Sequence, residues 1–111
     1  MKLYFYILDN PFREAPKLRC EECEVKDYPK TYKPLEKFPM GYYGSYIRKS
    51  DIGRVIGLSQ DVVVLLDRND DFAKRKFIEC YERFIEEHQN KIDRYKSYIE
   101  AALIFGGDNN V

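Results

Sequence analysis

Three cysteines and one histidine are the chain's soft metal ligands, and two of the cysteines stand as Cys20-Glu21-Glu22-Cys23. A CxxC spacing can supply half of a zinc site or the two thiols of a redox pair. Tetrahedral zinc needs two further ligands, and Cys80 and His88 are the remaining candidates. On one helix those two lie about 12 Å apart along the axis, too far to share an ion. Redox chemistry needs a thiol of depressed pKa. Glu21, Glu22 and Glu24 surround the pair with negative charge, which acts in the opposite direction. We read the cysteines as structural thiols, and expect no metal and no cofactor. Glu86-Glu87 and Asp70-Asp71 are adjacent pairs whose carboxylates diverge, unlike an acid–base pair converging on one substrate. No serine or cysteine is paired with a base, and no glycine loop is built to cradle phosphate. The expected catalytic set is empty and the chain reads as a non-enzyme.

Binding chemistry is better represented. Lys26 to Lys49 interleaves Tyr28, Tyr32, Phe38, Tyr42, Tyr43 and Tyr46 with Lys26, Lys30, Lys33, Lys37, Arg48 and Lys49, against Asp27 and Glu36 alone. Cations and aromatic rings on an extended segment can neutralise phosphates and stack bases. Lys30, Lys33, Lys37, Tyr32, Tyr42, Arg48 and Lys49 are therefore the candidate nucleic-acid contacts. The simpler reading packs the tyrosines on a sheet and leaves the lysines in water.

Ile52 to Leu66 also invites a nucleic-acid reading. Gly53, Ile56, Gly57, Leu58, Ser59, Val63 and Leu66 resemble the helix-turn-helix pattern of bacterial DNA-binding proteins, in which a small residue, a turn glycine and two buried aliphatics recur at such spacings. The reading helix would then be Ser59 to Asp67, whose outward positions should be polar or basic. The chain instead offers two aspartates, which repel phosphate, and three consecutive valines, which favour a strand. The strand is the expectation.

The elements that must position these residues are organised around the last third of the chain. Phe77, Tyr81, Phe84, His88, Ile92, Tyr95, Ile99 and Ala102 recur at steps of three and four, with one stutter between His88 and Ile92. Ile78, Ile85 and Leu103 widen the stripe, and Lys74, Glu82, Arg83, Glu86, Glu87, Asp93 and Lys96 occupy the other face. His88, lying on the stripe, reads as a core or interface residue. Asn69, Asp70 and Asp71 suit a helix start, and Gly106 and Gly107 a stop. The spacing predicts a helix over 70–105, a rod of roughly 54 Å. A compact chain of this length is about 35 Å across. The rod must either break near Gln89-Asn90-Lys91 and fold back, or find a partner for its second half. Because the apolar stripe continues there, we expect self-association through Ile92, Tyr95, Ile99 and Leu103, giving a homodimer.

Upstream, Leu3 to Leu8 suits an interior strand covered on both faces. Phe12 to Pro16 reads as loop. Leu18 to Val25 reads as a second strand with a bulge at Glu21-Glu22 and an edge or solvated face. The prolines and glycines of Lys26 to Gly44 predict an extended excursion, and Tyr42 to Arg48 is the third strand candidate. A short helical turn is expected near 50–57, then a strand at Val62 to Leu66. The expected fold is α+β: a small antiparallel or mixed sheet of about four strands packed against one long C-terminal helix. One domain spans 1–105, with Phe77, Tyr81, Phe84 and Ile85 on the sheet, and a disordered tail follows at 106–111.

Net charge is zero, which argues against indiscriminate binding to nucleic acid or anionic membrane. Hydrophobic residues make up 44% of the chain, enough for a real core. No run approaches membrane-spanning length, the opening apolar run lacks a signal-peptide cleavage site, and an odd cysteine count suits a reducing compartment. The Met-Lys-Leu-Tyr-Phe-Tyr opening, the Lys-Ser-Asp-Ile-Gly-Arg-Val-Ile-Gly segment and the charged terminal helix together resemble small proteins encoded in bacteriophage and other mobile elements of Gram-positive bacteria. That resemblance implies life in a bacterial cytoplasm and assigns no activity or site residue. The sequence is thus read as a small cytoplasmic interaction protein with an unnamed protein partner, the nucleic-acid-binding accessory being the alternative.

Overall fold

The computed structural model describes residues 1–11, 14–57 and 61–106. Its strands are β1 (Lys2–Asp9), β2 (Lys17–Asp27), β3 (Thr31–Pro34), β4 (Ile47–Arg48), β5 (Val55–Ile56) and β6 (Val62–Leu65), followed by the helix α1 (Asp70–Leu103). The fold is α+β: one curled sheet in the order β4-β3-β2-β1-β6-β5, antiparallel at every pairing, plus the long helix. Two compact units divide the chain, Met1–Ile78 and Glu79–Val111.

In the first unit, β1 and β6 are central strands, and both are near-continuous apolar runs because both of their faces are covered. Leu3, Phe5 and Ile7 share one face with Val62 and Val64, and with Cys23, Val25, Tyr32 and Ile47 they form the main core. Phe38 and Tyr42, from the connection between β3 and β4, close over it with ring centroids 5.4 and 5.8 Å from that of Phe5. On the opposite face Tyr6, Val63 and Leu65 are buried, as are Ala73 and Phe77 in the first turns of α1. Tyr6 ties that face to the helix start. Its hydroxyl donates to Asp70 Oδ1 at 2.7 Å and accepts from the Asn69 N–H at 2.9 Å. Asn69 is the helix cap, its Oδ1 accepting from the Phe72 N–H at 3.1 Å.

Several expectations are corrected. Among the described residues the sheet has six strands rather than about four, because two-residue pairings at β4 and β5 add edges too short to show a period. Lys26 to Gly44 is not one excursion: β2 runs to Asp27 and β3 pairs with it from Thr31. Pro34 ends β3 at a position facing Val25, where the sheet loses no ladder bond through its missing N–H. Only Ile47–Arg48 of the Tyr42 to Arg48 candidate is strand. Tyr42 turns toward the core, and a Cβ on Gly44 would lie 2.8 Å from the Tyr42 hydroxyl, so a side chain there would have to displace the end of that ring. The expected bulge in β2 is absent: the register from Lys2↔Glu24 to Asp9↔Lys17 is unbroken. The odd offset between its two apolar pairs instead puts Cys20 and Cys23 on opposite faces. The helical turn near 50–57 is a single 3₁₀ turn at Lys49–Asp51 followed by β5. Gly53, at φ +81°, turns the chain so that its N–H reaches the Val64 carbonyl at 2.9 Å. The helix-turn-helix reading fails for the same reason, because β5 and β6 occupy its span as paired strands. Its Leu58 and Ser59 lie outside the described residues, as do part of the Phe12 to Pro16 loop and most of the expected tail at 106–111.

The second unit is helical without interruption to Leu103. No break occurs near Asn90, so the fold-back expected as one alternative is not what this segment does. The helix stops where expected. Ile104 and Phe105 close the last turn onto Glu100 and Ala102, and Gly106 takes the left-handed φ of +85°. Among the described residues, no helix is long and apolar enough to cross a membrane.

Candidate association surface on the second helical unit

Every described residue after Tyr81 in α1 is exposed. Among them Ile85 is 69%, Ile92 45%, Tyr95 59%, Ile99 60% and Leu103 72% accessible. The four residues expected to associate, Ile92, Tyr95, Ile99 and Leu103, are therefore large apolar groups open to solvent. Phe84 and Ile85, assigned by the stripe to the sheet, are exposed instead.

Those exposures re-phase the helix. The stutter vanishes once Phe77, buried in the first unit, and Phe84 are removed from the seam. The remaining residues are Tyr81, Ile85, His88, Ile92, Tyr95, Ile99 and Ala102, stepping by four and three in strict alternation. This is a heptad seam: Ile85, Ile92 and Ile99 hold the first core position, and Tyr81, His88, Tyr95 and Ala102 the second. Ile78, one heptad earlier, is also exposed. The seam is relieved rather than flat. Tyr81, Phe84, Ile85, His88, Gln89 and Ile92 line a shallow groove of the kind that accepts a knob from a facing helix. His88 is held against its own helix, its Nδ1 2.7 Å from the Phe84 carbonyl oxygen. The rings of Tyr95 on the seam and Tyr98 beside it have centroids 6.3 Å apart, and the Arg83 guanidinium lies 5.8 Å from the Phe84 ring centre. Such a face, exposed over the length of a helix, is not neutral: burying it against a like face is favourable by about 25 cal/mol per Å².

The Lys/Tyr segment follows the simpler reading for Tyr32 and Tyr42, which pack on the sheet. Tyr32 is 6% exposed, a core residue, and its ring cannot take a base. Tyr42 is half-buried, its hydroxyl donating to the Tyr46 carbonyl at 2.9 Å, with burial pushing its pKa up. Lys49 pairs with Asp27 and covers the Tyr32 ring from 5.0 Å, and Arg48 pairs with Asp51 at 3.5 Å. Lys33 lies 5.2 Å from the Tyr28 ring centre. Lys30 and Lys37 are exposed, and Tyr28, Tyr43 and Tyr46 are the rings left at the surface. With Tyr32 and Tyr42 taken into the core and Lys33 and Lys49 lying over rings of their own segment, the candidate residues do not form one stacking track.

The cysteine motif is dispersed as well. Cys20 is half-buried and Cys23 buried, both free, and burial above all raises both thiol pKa values. Strand alternation sends the two side chains to opposite faces of β2, so they cannot share an ion or close a disulfide without rebuilding the strand. Among the described residues no group of three or more His, Cys, Asp or Glu could hold a metal ion. Comparison of the chain with family models, with curated proteins and with solved structures found no match.

Proposed function

We propose that this is a non-enzymatic interaction protein that self-associates through the second unit of α1. The observation that carries the reading is the uninterrupted heptad seam that continues from Tyr81 to Ala102 and exposes Ile85, Ile92, Tyr95 and Ile99. The association surface is Ile92, Tyr95 and Ile99 on the seam with Leu103 on its flank, extended toward the sheet unit by Ile85 and His88. The sheet unit has satisfied polar groups, with no unpartnered buried side-chain nitrogen or oxygen among the described residues. Its role in this reading is to present a surface to a further protein. The resemblance to small mobile-element proteins supports a bacterial cytoplasm as its setting. Nucleic-acid binding through Lys30, Lys33 and Lys37 is the less favoured reading, because Tyr32 and Tyr42 are committed to the core.

Ile99→Asp tests the proposal by size-exclusion chromatography with light scattering. An aspartate in the seam would be buried without a partner, at a cost no exposed position would incur. The variant should elute as a monomer with its helix content retained. An unchanged dimer mass removes the assigned surface.

A further inference from the structure

We infer that the partner on this seam is a second copy of the chain lying antiparallel, with Ile92 of each copy against His88 of the other and the dyad beside Asn90. The inference rests on the self-association proposed above and adds its orientation and contacts.

Two observations select the direction. The first is the shape of the layers. A parallel pairing in register places like on like, so that Tyr81, His88 and Tyr95 each meet their own copies while the isoleucines meet isoleucines. Ring layers would then alternate with aliphatic ones of much smaller volume. The antiparallel pairing offers Ile85 to Tyr95, Ile92 to His88 and Ile99 to Tyr81, one branched aliphatic against one ring in each of these central layers, with Ala102 meeting Ile78 beyond them. Facing large against small in this way keeps the layers even and the helices straight.

The second is charge. The residues flanking the seam are Glu82, Gln89, Lys96 and Leu103 on one side and Phe84, Lys91 and Tyr98 on the other. Neither Glu82 nor Lys96 is held in a salt bridge among the described residues. In a parallel pair the two sides face each other, and Lys91 meets Lys96 of the second copy, twice by symmetry. In an antiparallel pair each side faces its own kind reversed. Glu82 then meets Lys96 of the second copy twice, Phe84 meets Tyr98, and the single like-charge contact is Lys91 with Lys91 across the dyad. Flanking charges of this kind set partner orientation in paired helices. Opposed helix dipoles act in the same sense. The chain then enters the coil from opposite ends in the two copies.

Sedimentation equilibrium of the full chain at low salt reads this directly, with the variants Glu82→Lys, Lys96→Glu and the double exchange. Glu82→Lys places a lysine between Glu79 and Glu86 at helical spacing, which supports the helix itself, so weaker association cannot be charged to helix loss. The antiparallel pair requires each single exchange to raise the dissociation constant roughly tenfold and the double exchange to restore it. Tighter association of Lys96→Glu with Glu82→Lys silent would establish the parallel pair and overturn the inference while leaving self-association intact. Failure of the double exchange to restore, or a mass above two chains, overturns it as well. A wild-type chain that stays monomeric at every concentration removes the self-association itself.

Discussion

Replacing Ile99 by alanine should weaken the dimer about 100-fold without disturbing the protomer. The substitution removes three carbons, each worth about 0.8 kcal/mol when fully transferred from water. Ile99 is 60% accessible in the protomer, which bounds what a second copy can newly cover. The loss is therefore about 1.5 kcal/mol per chain and about 3 kcal/mol per dimer, two decades in the dissociation constant. Alanine is a better helix former than isoleucine, so the helix is not the casualty. The assay is sedimentation equilibrium, with far-ultraviolet circular dichroism to confirm unchanged helicity. Leu35→Ala is the control: Leu35 is 52% accessible but sits in the sheet unit, and its loss should leave the dimer unchanged. A change under about threefold for Ile99→Ala, or an equal change for Leu35→Ala, would refute the argument that the seam carries the association energy.

Four further outcomes follow from the sheet unit. Tyr6→Phe deletes a hydroxyl that accepts from Asn69 and donates to Asp70 beneath the helix start, and should lower unfolding free energy by about 1–3 kcal/mol in denaturant titration. The same hydroxyl, with Arg68, holds the Asp70 carboxyl below its ordinary range. That contribution is fully present above the unfolded carboxylate pKa and is lost as pH falls through the folded one, so the acid limb of a melting profile should be shallower in Tyr6→Phe than in wild type. Tyr32→Ala should cost about 3–5 kcal/mol, as loss of a core aromatic; a fully stable variant would contradict its burial. Finally, a strong chelator should leave the melting temperature unmoved, since Cys20 and Cys23 face opposite ways; a chelator-induced drop would expose a metal site.

Much of the architecture was legible in the sequence because burial on two faces leaves an unmistakable mark. Leu3 to Leu8 read as an interior strand and Val62 to Leu66 as a strand; they form the central pair, the second ending one residue early because Leu66 turns out to solvent. Asn69 and Gly106 read as helix limits, because capping chemistry is local. What was not legible was long-range. Two-residue strands such as Ile47–Arg48 and Val55–Ile56 are defined by their partners, not by their own pattern. Tyr32 and Tyr42 were candidate stacking platforms by composition alone; the fold pairs Tyr32 with Ile47 across two strands and sets the Tyr42 ring against Phe5. The four residues proposed to associate were chosen by periodicity, but the stripe was drawn in the wrong phase: Phe77 is buried in the sheet unit, whereas Phe84, which fits the same stripe, is exposed and lies beside the seam. Isoleucines at 78, 85, 92 and 99 were the available signal, seven residues apart throughout.

The most direct test of the central claim is the mass of the intact chain by light scattering on a size-exclusion column, at moderate salt and several loading concentrations. The seam requires twice the 13.3 kDa chain mass, falling toward one chain on dilution. A mass of one chain at every concentration would show that exposed isoleucines at this spacing do not bring two copies together, and would contradict the account.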